Sequence, residues 1–267
     1  MGERPVTREL HQYRIGIAAL QEVRWPGNGE CQLESGHTLF YSGSDFDRHV
    51  NGTGFLVDKH FLPNVIQFKP ISDRISILRL KTKFFNITLL NAYAPTEQAH
   101  DDIKDEFYEH LDQVYDNIPG YDAKILLGDL NAKIGREEAF MPTIGKHSKH
   151  DKSNDNGTRL ISFAASKSMV VQSTKFPHKD IYKGTWKSPD GKTVNQIDHV
   201  IIDNRHKKII EDIRTFRGAD CDSDHYLVGI KVKAKIKVAK ARTVVREDRI
   251  NVEEIRNEYV NKDFQLD

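Results

Sequence analysis

Apolar positions along this chain change spacing several times, and each change predicts a new element. Val6, Leu10 and Tyr13 fall at i, i+4 and i+7, which predicts a short amphipathic helix over residues 4–13. Ile15, Ile17 and Ala19 then alternate, predicting a strand that ends in Leu20-Gln21-Glu22, ahead of a loop at Trp25-Pro26-Gly27-Asn28-Gly29. From His37 to Pro95 the pattern is β, with runs at Thr38–Ser42, Gly54–Val57, Val65–Phe68, Ile75–Lys81 and Phe85–Tyr93. Five such runs in succession predict one antiparallel sheet or sandwich layer, closed where Pro95 stops the ladder.

A helical stripe follows, made by Ile103, Phe107, Leu111, Val114 and Ile118, with Asp101, Asp102, Lys104, Glu109 and Asp112 expected to face water. Pro119-Gly120 ends it. Ile125-Leu126-Leu127 then predicts a strand buried on both faces that stops at Gly128, just before Asp129 and Asn131. Residues 132–156 are polar, and their histidines lack companion carboxylates at a metal-like spacing, which predicts a solvated or substrate-facing loop. Leu160, Phe163 and Ala164 predict a helix opening near Asn156-Gly157. Strands are expected again at Met169–Gln172, Gly184–Lys187, 196–202, 209–217 and Tyr226–Val232, with a turn at Ser188-Pro189-Asp190-Gly191.

Beyond that the character changes. Lys231, Lys233, Lys235, Lys237, Lys240, Arg242 and Arg246 form a basic ribbon, and Asn251 with Glu254 is a capping pair for a short helix. The expected organisation is therefore a domain over residues 1–235 and a basic linker with a short helix over 236–267. The ribbon suits either a solvated strand edge or a phosphate-contacting arm, in which Lys233 and Lys235 touch substrate.

Composition narrows the class. A charged fraction of 30%, with no run near the 18–20 apolar residues of a membrane span, excludes a helical membrane protein. The start lacks an apolar signal region, and Cys31 and Cys221 have no metal-like spacing, so an intracellular, reducing compartment is expected. A net charge of +1 does not by itself imply a polyanionic partner.

The candidate chemistry sits at strand ends. Glu22, Tyr93, Asp129, Asn131, Asp198, Asp224 and His225 come from separate segments, each within or at the edge of an apolar run. Taken singly, Glu22 suits a surface carboxylate, Tyr93 a core aromatic, and Asp129 with Asn131 a turn. Asp198 is different, because a carboxylate inside an apolar strand requires a donor partner. As a set they suit phosphodiester hydrolysis, which needs carboxylates for a divalent cation, groups that orient a water, and donors for the charge on phosphorus. A histidine steadied by a carboxylate, as His225 with Asp198, can contact the phosphate or move a proton.

In order along the chain, Leu20-Gln21-Glu22, Asn91-Ala92-Tyr93-Ala94-Pro95, Gly128-Asp129-Leu130-Asn131, Gln196-Ile197-Asp198-His199 and Ser223-Asp224-His225 resemble the endonuclease/exonuclease/phosphatase superfamily, which includes deoxyribonuclease I. The wording around Asp129 and at Trp186-Lys187-Ser188-Pro189-Asp190-Gly191, with the tail, is similar to LINE-type retrotransposon endonuclease domains and craniofacial development protein 2-like proteins. The resemblance implies an α/β fold, a four-layer sandwich of two packed, mainly antiparallel sheets flanked by helices. It implies a Mg²⁺- or Mn²⁺-dependent nuclease acting on DNA, or on RNA, in the nucleus. Glu22 and Asp224 would serve the metal. Asp129 would orient the water, Asn131 and Tyr93 would hold phosphate oxygens, and His225, oriented by Asp198, would stabilise the scissile phosphate. Trp186 is expected either in the substrate groove or in the core. The family's first strand, which carries an Asn near the metal, has no counterpart before the helix at 4–13, so the sandwich is expected to lack it. A lipid phosphohydrolase and a non-catalytic nucleic-acid-binding domain are the alternatives.

Overall fold

The computed structural model describes residues 3–44 and 49–235. The end of the basic ribbon, the capping pair at Asn251 and Glu254 and the boundary expected at residue 236 lie outside them. The chain opens with α1 (Glu3–Gln12) and β1 (Ile17–Gln21), then β2 (Asn28–Gln32), β3 (His37–Ser42) and β4 (Thr53–Asp58). It continues through β5 (Val65–Pro70), β6 (Ile75–Lys81), β7 (Asn86–Tyr93), α2 (Asp101–Asp116) and β8 (Ala123–Asp129). Next come α3 (Asp155–Ser166), β9 (Met169–Val171), β10 (Trp186–Lys187), β11 (Val194–Asn195), β12 (Asp198–Asp203), β13 (Ile210–Phe216) and β14 (Leu227–Val232).

Two sheets dominate. One has the order β1-β4-β3-β2, the other β5-β6-β7-β8-β12-β9, and β13 pairs with β14 as a separate ribbon. Among the described residues only β7 and β8 pair in parallel; α2 makes the crossover that a parallel pair requires. Alternation along the strands then sets the layers. Phe55 and Val57 of β4 meet Leu78, Leu80, Ile125, Leu127, Val200 and Ile202 between the sheets. The intervening Leu90, Ala92, Leu126 and Ile201 face α2 and α3, against Phe107, Leu111, Leu160 and Phe163. On the far side, Ala18, Leu39 and Leu56 pack on Val6 and Leu10 of α1. The order is helix, sheet, sheet, helices, the expected α/β sandwich. Each fully buried large side chain in these layers contributes about 1.5–3 kcal/mol.

Several expectations change. Asn28–Gln32 is a strand, not a loop; Cys31 is its single apolar side chain, so pairing with β3, not local propensity, extends it. The five strands after His37 do not share one sheet. The chain crosses between sheets at Leu62–Asn64, where Pro63 cannot donate to a ladder. The strand at 125 does not stop at Gly128, because β8 stays paired on both sides through Asp129. On α2, Ile103 is 49% exposed, whereas Lys104 is buried and ion-paired with Asp155 at 3.1 Å, because the first turn of α3 packs against it. His150, in the polar loop, is half-buried, its Nε2 accepting from the Gln196 N–H. Among the described residues, no helix is long and apolar enough to cross a membrane.

Candidate active site

Three neighbouring strands deliver three of the candidate side chains to one point. Tyr93 of β7 lies beside Asp129 of β8, and Asp129 lies opposite Asp198 of β12. The register puts all three on the face turned toward the other sheet, because each has the same parity as Leu89, Leu127 or Val200. Gly128 permits this. Its φ is +136°, and a Cβ there would stand 2.1 Å from the Ala92 carbonyl oxygen of β7. Asn131, in the left-handed region at φ +47°, folds back on Asp129. Its N–H donates to Asp129 Oδ1 at 3.0 Å, and its amide Nδ2 donates to the Ala94 carbonyl at 2.9 Å.

The opposite sheet supplies Glu22, one residue past β1. Tyr93 donates its hydroxyl to Glu22 Oε1 at 2.8 Å, and Arg24 pairs with Oε2 at 2.5 Å. Buried Asn91 ties the sheets together next to this contact. Its Nδ2 donates to the carbonyls of Leu20 and Gly54, both at 2.9 Å, and its Oδ1 accepts from Gln21 at 2.6 Å. Such a satisfied amide network specifies how one sheet sits on the other, and here it holds β1 so that Glu22 meets Tyr93.

The third component precedes β14. His225 Nδ1 lies 3.0 Å from Asp198 Oδ2, and His225 Nε2 lies 3.9 Å from Asp129 Oδ2. The Trp186 indole donates to Asp224 Oδ2 at 2.7 Å, and Trp186 and His225 are bridged through their backbones. The Thr185 hydroxyl accepts from the N–H groups of Ile197 and Asp198, steadying the start of β12.

The charges are unbalanced. Burial and the charge of Asp198 push the Asp129 carboxyl up to about 7, against the opposing pull of His225. Burial would lower His225, but Asp198, Asp129 and Asp224 together raise it to about 9. Burial also disfavours the charge on Glu22, yet hydrogen bonds from Tyr93 and Arg24 hold it below the usual carboxylate range. Tyr93 is pushed far up by burial and by Glu22, so its hydroxyl stays a donor. Four carboxylates thus surround the imidazolium, and a hard divalent cation suits that oxygen-rich excess. Among the described residues no three His, Cys, Asp or Glu side chains are grouped to enclose a metal. Mg²⁺ needs only one or two carboxylates with waters and phosphate oxygens, and Glu22 and Asp224 are the carboxylates outside the Asp129–His225–Asp198 line.

The protonated His225 should register in stability. With its folded pKa near 9, above the unfolded value near 6.5, its contribution is complete below pH 6.5 and lost as pH rises through 9. His225→Gln is therefore expected to cost about 3 kcal/mol at pH 6 and close to nothing at pH 10. Urea unfolding at the two pH values measures this, and a pH-independent difference would contradict the pairing.

The structure thus brings together Glu22, Tyr93, Asp129, Asn131, Asp198, Asp224 and His225. Trp186 is partly buried and outside the core clusters, and its indole holds Asp224. Lys233 and Lys235 are not brought to the site. They follow β14 at its far end, about 25 Å of extended chain from His225, with Lys233 paired to Glu211 at 3.8 Å and the Lys235 carbonyl bonded to Lys83 N–H. Asn91, Arg24, Thr185 and Arg74, whose guanidinium lies 5.3 Å over the Tyr93 ring, were not predicted. Asn91 alone carried a sequence signal, an amide inside an apolar strand.

No family model matches the chain. It is 34% identical over 240 residues to craniofacial development protein 2 of Bos taurus, covering 89% of this chain and 40% of that protein. It is 33% identical to the Tragulus javanicus protein over the same length. The chain spans about two fifths of the length of these curated relatives. Among solved structures, the Xenopus laevis APE2 catalytic domain superposes with a TM-score of 0.62 at 15% identity, covering 89% of this chain and 91% of that one. The endonuclease domain of a telomere-specific non-LTR retrotransposon gives 0.58 at 16% identity, covering 86% and 91%. The 3′ phosphatase NExo from Neisseria, bound to a product DNA hairpin, gives 0.59 at 17% identity, covering 85% and 92%.

Proposed function

We propose that this chain, a sequence relative of craniofacial development protein 2 with the deoxyribonuclease I-like fold of the endonuclease/exonuclease/phosphatase superfamily, is a divalent-metal-dependent phosphodiester hydrolase that nicks DNA. The supporting observation is the line Asp129–His225–Asp198, set at one rim of the sandwich with Glu22 and Asp224 beside it.

Each residue has a task in that reaction. Asp129, with its affinity for protons raised toward neutrality, takes a proton from the attacking water near physiological pH. Asn131 fixes the Asp129 rotamer from two sides, so the accepting oxygen needs no reorganisation. His225 stays protonated at neutral pH, and Asp198 holds its Nδ1 so that Nε2 faces the rim beside Asp129 and can donate to a charged phosphate oxygen there. Tyr93 and Trp186 orient Glu22 and Asp224, the carboxylates that would hold Mg²⁺ or Mn²⁺. The bound cation would neutralise charge developing on the phosphate. DNA as substrate places the work in the nucleus.

Supercoiled plasmid tests the proposal. Relaxed circles are expected with Mg²⁺ and none after EDTA; His225→Ala is expected to slow nicking by about 10²–10³-fold. Absence of nicking by the unaltered protein, or equal rates with EDTA, contradicts it. The Arg24–Glu22 ion pair favours a second reading, a nuclease-derived domain that binds nucleic acid without cutting it. Salt-dependent DNA binding with no metal-dependent cleavage would support that reading.

A further inference from the structure

Asn131 can hold Asp129 only while its own backbone stays in the left-handed region, and the bonds to three consecutive carbonyls keep it there. The Lys133 carbonyl accepts from the Asn154 N–H at 3.1 Å, and the Ala132 carbonyl lies 2.8 Å from Nε2 of buried His199. The Asn131 carbonyl accepts from Asn156 Nδ2 at 3.1 Å. The same nitrogen donates to the Pro95 carbonyl at 2.9 Å, in the segment that follows β7. Asn156 stands in the first turn of α3 and is fully buried. One amide therefore joins the two chain segments that leave β7 and β8, just past Tyr93 and Asp129.

The turn that carries Asn156 is itself docked against both segments. Glu97 accepts from Asn154 Nδ2 at 2.7 Å and from the N–H groups of Asp155 and Asn156, both at 3.1 Å. Asn154 Oδ1 accepts from the N–H groups of Gly157 and Lys133 at 2.8 and 2.9 Å, so one atom caps α3 and holds the loop. A Cβ on Gly157 would stand 2.0 Å from the Lys133 carbonyl oxygen, which puts the helix start and the loop in backbone contact. The orientation of the Asn156 amide is set by its neighbours, since the reverse would turn Oδ1 toward two carbonyl oxygens. Oδ1 is then buried with no hydrogen-bond partner among the described residues. That orphaned acceptor costs stability, so what the asparagine supplies is its two donations.

We propose that Asn156 is a positioning residue for the hydrolysis described above, an inference that rests on the nuclease reading. Being fully buried, it does not touch substrate; it acts through Asn131 on Asp129. It fixes the peptide that follows Asn131, and so holds the backbone that aims the Asn131 N–H at Asp129 Oδ1 and the Asn131 amide at the Ala94 carbonyl. Without those donations the bonds at Ala132 and Lys133 persist, which confines the displacement to Asn131 and the Asp129 carboxyl. A base misplaced by about 1 Å loses on the order of 10²-fold in rate.

Two variants of the full chain that cannot donate, Asn156→Leu and Asn156→Asp, test this. Both keep the branched shape, and Asp is favoured in the first turn of a helix. Amide exchange followed by NMR reads the geometry without any catalysis. The Asn131 N–H is expected to exchange about tenfold faster, while the Lys133 and Gly157 amides, bonded to Asn154, keep their native rates. Tyr108→Phe is the control; it loses the bond from the Tyr108 hydroxyl to the Asn156 carbonyl in the same turn and should leave Asn131 exchange unaltered. With plasmid and Mg²⁺, kcat should fall about 10–10²-fold while KM stays within about threefold. In an Asp129→Asn background the same substitution should cost less than about threefold, because the group it positions is gone. The proposal is overturned if Asn131 exchange is unchanged in both variants, if Tyr108→Phe speeds it equally, if the loss lies in KM, or if the loss is undiminished in Asp129→Asn. Faster Asn131 exchange in variants of a protein that never nicks would instead overturn the nuclease reading alone.

Discussion

Asp129→Asn is expected to slow plasmid nicking by about 10²–10⁴-fold, the range for losing a general base, while making the protein more stable at pH 8. The two effects share one cause. In the native protein, burial and the neighbouring charge of Asp198 disfavour ionisation of Asp129 and raise its pKa from 3.8 to about 7. A carboxyl raised in this way binds its proton more tightly folded than unfolded, so folding stability falls as pH rises from about 4 to 7. The amide keeps the shape and an oxygen for the Asn131 N–H, now at 3.0 Å from Oδ1, but it carries no charge to desolvate. The variant should match the native protein in melting temperature near pH 4 and exceed it above pH 7. The attraction of His225 is already part of that raised pKa, but the amide's NH₂ would face the Asn131 Nδ2 and His225 Nε2 donors in place of Oδ2, an unsatisfied donor that holds the stabilisation to about 1–2 kcal/mol. Nicking within tenfold of the native rate would remove Asp129 from the reaction. A melting temperature below the native one at pH 8 would contradict the charge imbalance.

How much of this was legible differs by residue, and the differences have physical reasons. Asp198 was legible as a carboxylate inside an apolar run that demands a donor, and His225 is that donor. Asn91 carries the same kind of signal in β7, but its partners, Leu20 and Gly54, are backbone carbonyls that no sequence pattern marks. That β8 is buried on both faces followed from its unbroken apolar run. The partition of strands between two sheets did not, because it depends on pairings remote in sequence, such as β1 with β4 and β8 with β12. Charge was visible at Lys233 and Lys235, but charge alone does not say which end of β14 they occupy. Trp186 was ambiguous between groove and core because an indole serves in both; its N–H bond to Asp224 adds a positioning role that neither alternative specified. Lys104 misled for a related reason, since its long stem allows burial with the ammonium paired.

Gly128→Ala should be among the most disruptive single-methyl additions in the chain, although it changes no charge and removes no contact. A Cβ at this position would lie 2.1 Å from the Ala92 carbonyl oxygen and 3.1 Å from the Ala92 backbone carbon and nitrogen. Those atoms belong to the central β7–β8 pair and cannot rotate aside as a side chain could. The φ of +136° adds strain for any L side chain. The expected cost is about 3–5 kcal/mol, near the upper end for point substitutions, or roughly 10 °C in melting temperature for a chain of this size. Gly120→Ala is the control, because a Cβ there meets nothing within 4 Å and its φ is ordinary. The position of the strain matters more than its size. Ala92 and Gly128 are the last pair before Tyr93 and Asp129, so relief by separating β7 from β8 would also pull Tyr93, with Glu22 hydrogen-bonded to it, away from Asp129. Nicking should therefore fall at least tenfold even at 10 °C, where the variant remains folded. A variant that loses stability but keeps full activity at low temperature would show that the site tolerates slippage between these strands. Loss of both would show that the glycine keeps β7 and β8 close enough to bring their two functional ends together.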